Sequence, residues 1–73
     1  MEKKIKNYEK NFIKNLKLER KLRNLTQKQV AELIGVKTQS YQAYESGKSF
    51  PTIENLLRLI CTYDITLNDL FED

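Results

Sequence analysis

Three side chains near the middle of the chain, Thr38, Gln39 and Gln42, have the types and spacing for recognition chemistry. At helical periodicity they share one face, and Tyr41 and Tyr44, with Ala43 nearby, form the other. A glutamine amide sets a donor beside an acceptor and can pair with the edge of adenine in a duplex major groove. A hydroxyl can donate or accept at either kind of base pair. A solvated helix face carries the same residue types, so this pattern alone leaves both readings open. Catalysis has far less to work with. The chain has no histidine and a single cysteine, Cys61, so the imidazole and thiolate sets that hold zinc are missing. The carboxylates are concentrated towards the C-terminus, where Asp64 and Asp69 read as turn and cap residues rather than as an acid and base pair. No enzyme activity, metal or cofactor is expected.

The recognition residues need short elements to hold them. Thr26 and Gln29 have capping-box spacing, Val30, Ala31, Leu33 and Ile34 form an apolar stripe, and Gly35 is placed to stop that helix in the left-handed conformation. A second short helix follows Val36 and closes at Gly47, so residues 27–46 read as helix, turn, helix. Upstream, Asn11 to Asn24 contains neither glycine nor proline. It predicts a helix anchored by Phe12, Leu16 and Leu22, with Ile13 and Leu18 beside them, ending at Asn24 before Leu25 turns inward. Residues 1–10 read as a basic extension, either a frayed tail or an added helical turn, in front of a domain spanning 11–73. Downstream, Pro51 holds Phe50 extended and Thr52 caps a fourth helix through Ile53, Leu56, Leu57, Leu59 and Ile60. Its apolar residues exceed one stripe, which predicts the most buried helix of the set, with Cys61 an internal thiol. Thr66 and Asp69 repeat the capping-box spacing for a last helix carrying Leu67, Leu70 and Phe71. The expectation is an all-α fold of five short helices in a compact orthogonal cluster.

A chain of 73 residues is one domain with one core and little room for an enclosed substrate pocket. Its net charge is +3, distributed unevenly: residues 1–25 carry +6, residues 26–50 carry +1 and residues 51–73 carry −4. A polyanion would face the first two thirds. No apolar run is long enough to span a membrane and no secretory signal is evident, so a cytoplasmic location is expected.

From about Phe12 to Phe71 the chain resembles the helix-turn-helix domain of the Cro and phage C1 repressor family, also called the XRE family. The residues that carry the likeness are Leu25-Thr26-Gln27, Val30-Ala31, Gly35-Val36, Glu45-x-Gly47-Lys48, Pro51 and Leu67-x-x-Leu70-Phe71. The resemblance implies a lambda-repressor-like fold and a sequence-specific regulator of transcription, with repression as the default outcome. It implies that Thr38, Gln39 and Gln42 read bases, that Ala43 adds at most an apolar contact, and that Gln27, Lys37, Ser40 and Lys48 meet phosphates. Arg20 and Glu45 match an ion pair between the first helix and the end of the recognition helix. The partner implied is double-stranded DNA bearing a palindromic operator, bound by a homodimer whose interface is expected at Tyr63, Leu67, Leu70 and Phe71. No small-molecule ligand is implied. The chain departs from the family at Lys37, where a hydroxyl cap is usual, at Glu19, where an apolar residue is common, and at Asp64, where glycine is frequent. Tyr41 and Tyr44 stand where Ile or Leu is usual, and their hydroxyls are expected at the surface, one near a phosphate. The same fold also admits a protein-interaction role, as an antitoxin-like or anti-repressor partner. That role calls for exposed aromatic or aliphatic groups on the outer face of the third helix, where this sequence places Lys37, Thr38, Gln39 and Gln42.

Overall fold

The structure, a computed structural model, describes all 73 residues as five helices without a strand: α1 Glu2–Leu22, α2 Gln27–Ile34, α3 Thr38–Ser46, α4 Ile53–Tyr63 and α5 Leu67–Phe71. The capping signals act where the sequence places them. Thr26 Oγ1 accepts from the Gln29 N–H while the Gln29 side chain accepts from the Thr26 N–H, and Thr66 and Asp69 repeat that exchange at α5. Thr52 caps α4. Gly35 and Gly47 are left-handed, as are Asn24 and Asp64, the two non-glycine residues with positive φ.

The first helix runs through the boundary expected between residues 10 and 11, and a partner element accounts for its length. Tyr8 meets Phe71 edge-on and Phe12 stacks on Phe71, with ring centroids 6.4 and 5.4 Å apart. The five-residue α5 leaves carbonyl groups free at its end, as every helix does. Asn11 donates to the Phe71 carbonyl, and Asn15 donates to those of Leu70 and Glu72. Thus α1 closes α5, and α5 in turn covers the inner face of α1.

The core joins Phe12 and Leu16 of α1, Val30, Ala31 and Ile34 of α2, Tyr41 and Tyr44 of α3, Leu59 and Tyr63 of α4, and Leu70 of α5. Several expectations fail here. Leu22 is 74% exposed and anchors nothing, since the core-facing line of α1 passes through Phe12 and Leu16 and leaves Leu22 on the outer side. Leu33 is also exposed. The fourth helix is not the most buried: only Leu59 and Tyr63 are enclosed, with Leu56 and Ile60 half-buried, while Ile53, Leu57 and Cys61 face outward because no element covers that side. Nor do the tyrosine hydroxyls of α3 reach the surface. The Tyr41 and Tyr63 hydroxyls bond each other inside the core at 3.0 Å, and the Tyr44 hydroxyl accepts from Asn55. A buried hydroxyl must find a partner, and each tyrosine of α3 finds one on α4.

Glu19, where an apolar residue was expected, lies half-buried and bonds Arg23 at 2.8 Å. The Arg23 guanidinium in turn covers the Tyr63 ring at 4.8 Å and donates to the Tyr63 carbonyl. A polar clamp therefore does at this corner what an aliphatic side chain would do by contact alone.

The one buried charged side chain is Glu45, 3% exposed near the end of α3. Arg20 of α1 meets it as a fork, Nε to Oε2 at 2.6 Å and Nη2 to Oε1 at 3.0 Å, and its remaining Nη1 donates to the Leu25 carbonyl. No buried side-chain nitrogen or oxygen is left without a partner. Burial pushes the Glu45 carboxyl up, but the hydrogen bonds it accepts from Arg20 and Gln27, the Arg20 charge and the neighbouring Tyr41 hydroxyl outweigh it, holding the group below its ordinary 4.5. Donating to that carboxylate likewise raises Arg20.

Removing one partner strands the other charge in a dry site. Arg20→Met or Glu45→Leu alone is expected to cost about 3–5 kcal/mol in urea melts, whereas the double variant carrying both loses much less than the two together. Additive losses would rule out coupling between the two residues.

The pH profile follows from the same pair. Because the folded carboxyl has the lower pKa, the unfolded chain takes up its proton first. The contribution of Glu45 is therefore complete above about pH 4.5 and is lost as pH falls through the folded value. At the alkaline end, burial raises Tyr41 and Tyr63 above 10.0, so the unfolded chain ionises first and stability declines beyond pH 10. Melts from about pH 2.5 to 11 should show both declines, and Glu45→Gln should flatten the acid one. An acid limb of equal steepness in wild type and variant would contradict the assignment.

Candidate nucleic-acid interface

The proposed reading face is built on a turn whose geometry leaves little choice of residue. Gly35 has φ 75°, and a Cβ there would meet nothing within 4 Å, so its role is purely conformational. The Val36 N–H returns to the Ala31 carbonyl at 3.0 Å, closing α2. At Gly47 the constraint is double: φ is 79°, and a Cβ would sit 2.6 Å from Ile13 Cδ1. Helix α3 is thus seated against α1 at its C-terminal end and against α2 through the turn at its start.

Lys37 occupies the cap position of α3 without a side-chain hydrogen bond, so the usual cap is absent and the helix begins at Thr38. The N–H groups of Thr38 and Gln39 consequently have no partner within the chain. The same holds for the N–H groups of Gln27 and Lys28 at the start of α2, since Thr26 satisfies only Gln29. Two helix starts, each with free donors, belong to one helix-turn-helix.

From the buried ion pair a line of polar contacts leads outward to the α3 surface. Gln27 Nε2 donates to Glu45 Oε1 at 3.1 Å, and Gln42 Nε2 donates to Gln27 Oε1 at 3.2 Å. Gln42 is exposed, and its Oε1 remains available; Gln27 is half-buried with both ends of its amide engaged. This link was not read from the sequence. Its signal was present in retrospect, as Glu45 lies three residues after Gln42 and both must face α2 if Arg20 reaches Glu45.

The remaining candidate residues divide by exposure. Gln39, Lys37 and Lys48 are open to solvent, and Thr38, Ser40 and Ala43 are half-buried. Ser46, which the sequence reading passed over, is exposed one turn beyond Gln42 on the outer side, its hydroxyl turned back to the Ala43 carbonyl at 3.2 Å. No aromatic or aliphatic side chain is exposed on α3.

The expected dimer surface needs correction. Tyr63 and Leu70 are enclosed by the monomer's own core, at 1% and 0% exposure, because Tyr63 bonds Tyr41 and Leu70 underlies α1. Of the four residues only Leu67 is exposed, with Phe71 half-buried beneath Tyr8. No group of acidic, cysteine or histidine side chains is placed to hold a metal, and no helix is long and apolar enough to cross a membrane.

Comparison with known proteins gives a concordant picture. The family model described as "Helix-turn-helix" matches residues 16–70. The cryptic phage CTXphi transcriptional repressor RstR of Vibrio cholerae is 42% identical over 52 residues, covering 71% of this chain and 46% of that protein. The HTH-type transcriptional regulator YqaE of Bacillus subtilis is 34% identical over 61 residues, 84% of this chain and 53% of its own length. A crystal structure of a transcriptional regulator from Listeria innocua superposes with a TM-score of 0.77 at 34% identity, covering 85% of this chain and 58% of that one. The chain thus spans about half the length of the curated relatives it matches. With the α2-turn-α3 unit, the five-helix cluster and these matches in agreement, the chain belongs to the helix-turn-helix family, in its Cro/C1-type form.

Proposed function

We propose that the chain binds duplex DNA sequence-specifically and regulates transcription, as a repressor, by laying α3 in the major groove. The observation that carries this reading is the uncharged polar outer face of α3, on which Gln42 is oriented by Gln27 and Gln39 stands free. In this reading Thr38, Gln39 and Gln42 reach base edges, and Ala43 offers its methyl group to thymine. The free N–H groups of Gln27 and Lys28 receive one phosphate, with Gln27 held in place by Glu45, while Lys37, Ser40 and Lys48 meet others. Its place of action is the cytoplasm, where DNA is reached. A protein-binding role for α3 is disfavoured by the lack of any exposed apolar group on it.

Two copies on a palindromic site follow from the arithmetic of specificity. One helix tip covers too few base pairs to single out a site, and two tips about 34 Å apart double the readout. With Tyr63 and Leu70 internal, the surface proposed for pairing is Leu67 and the outer edge of Phe71, extended by Ile5 and Tyr8 of α1. This patch is small, so DNA completes the dimer by holding both copies on one duplex.

Selection of bound duplexes from a random pool should recover an inverted repeat. Against that site Gln39→Ala should lose about 1–3 kcal/mol, with much less lost on random DNA, and equal losses on both would defeat base reading. Gln27→Ala should weaken binding to every sequence through the phosphate contact and, because Gln27 orients Gln42, should also narrow the preference for the selected site. Sedimentation with the selected duplex should show two protomers bound, falling towards one in a Leu67→Asp variant that melts normally. Unchanged stoichiometry in that variant would remove the pairing surface from α5.

A further inference from the structure

The first helix carries a charge pattern that the recognition unit does not use. Lys3, Lys6, Lys10, Lys14, Lys17 and Lys21 follow one another at intervals of three or four residues, and all six are exposed. At about 100° per residue they fall within a band about 80° wide, and at about 1.5 Å per residue the band is about 27 Å long. The acidic residues of α1, Glu2, Glu9 and Glu19, all lie outside it, and Glu19 is turned to Arg23. Of the chain's four ion pairs only one involves this band, the exposed contact of Lys14 with Asp73.

Such a face runs against the stability of its own helix, because neighbouring like charges one turn apart repel. Solubility alone does not ask for it, since the same charge spread over the surface serves equally well. The exposed side of α4 shows the usual alternative, with Glu54 and Arg58 paired one turn apart. A lysine band in which only Lys14 has a counter-charge is suited to a rod of regularly spaced anions.

Its position fixes which rod. Ile13 borders the band and seats Gly47 at the end of α3, next to Lys48. Arg20, between Lys17 and Lys21, is bonded to Glu45 of the recognition helix. The band therefore begins beside the C-terminal end of α3 and leads away from it along α1. Resting on the duplex-binding reading above, we propose that the lysine face of α1 is a second DNA-binding surface, which grips the phosphate backbone flanking the base pairs that α3 reads. It supplies affinity and reach without sequence information, as ammonium groups on phosphates do.

The test is the salt dependence of binding by a variant carrying Lys3→Gln, Lys6→Gln and Lys10→Gln, which leaves Lys48 and both members of the Lys14–Asp73 contact in place. Glutamine preserves helix propensity, and circular dichroism should show a melt equal to or above that of wild type once the repulsion is gone. With a duplex of about 30 base pairs, the slope of log affinity against log salt should become shallower by about 2–3, close to 0.9 for each phosphate that the variant no longer neutralises. The preference for the selected site over random sequence should stay as in wild type. An unchanged slope with sequence preference intact overturns the lysine face and leaves base reading standing. An unchanged slope together with loss of binding to vesicles containing phosphatidylserine assigns the face to a lipid surface instead and equally overturns it. A wild-type chain that binds no duplex even at low salt defeats the functional reading, and this inference with it.

Discussion

The structure depends on one buried charge being neutralised from another helix. Glu45 sits at the end of α3, where a carboxylate is disfavoured by the helix dipole as well as by burial. It is tolerable only because Arg20 of α1 reaches it with two donors and Gln27 of α2 adds a third. Three helices therefore have to be in register at once for one carboxylate to be satisfied. The third donor is itself bonded to Gln42, so the same register sets the orientation of a residue on the proposed reading face. Such a pair contributes specificity of arrangement more than net stability, and a pair of apolar residues could fill the space but could not extend the polar line to the surface.

The cluster is too small to rely on that pair alone. Ten core side chains come from five helices, and four of these, α2 to α5, are too short to hold together alone. What makes them definite is chain direction at the joints. Capping hydroxyls begin α2, α4 and α5, and left-handed residues follow α1, α2, α3 and α4. Asn24 and Asp64 take up that conformation without being glycine, an arrangement that short polar side chains tolerate better than others. The exception is the start of α3, where Lys37 provides no cap. The free donors this leaves behind lie on the surface assigned to DNA, where a phosphate can satisfy them in the complex.

Much of this was legible in the sequence because joints are encoded locally. The capping boxes, the glycines and the helix order follow from residues two to four apart, and the Arg20–Glu45 pair follows from family resemblance. What escaped was burial. Leu22, Leu33, Ile53, Leu57 and Cys61 occupy positions that helical periodicity reads as apolar, yet they face solvent, since periodicity says that a face is apolar but not whether another element covers it. Five short helices enclose only one small volume, so apolar faces outnumber the places to bury them. The same deficit explains the misplaced dimer residues. Tyr63 and Leu70 looked surplus to a short terminal helix, but α1, longer than the sequence suggested, closes over that end with Phe12, Asn11 and Asn15.

That longer α1 changes how the molecule's charge should be understood. Counted along the chain, the basic excess of the first 25 residues is divided between a predicted helix and an extension of residues 1–10 that reads as a frayed tail or an added helical turn. Folded into one helix of 21 residues, the same lysines become a fixed surface, held in place by the aromatic contacts of Tyr8 and Phe12 with Phe71. The acidic C-terminus lies along one edge of that surface, where Asp73 meets Lys14 and the α5 carbonyls meet Asn11 and Asn15. A flexible tail would neutralise phosphates at the cost of its own ordering, whereas charges on a packed helix lose little freedom on binding. The packing of α5 on α1 thus does more than close the core: it converts a run of basic residues into an oriented electrostatic face beside the recognition helix.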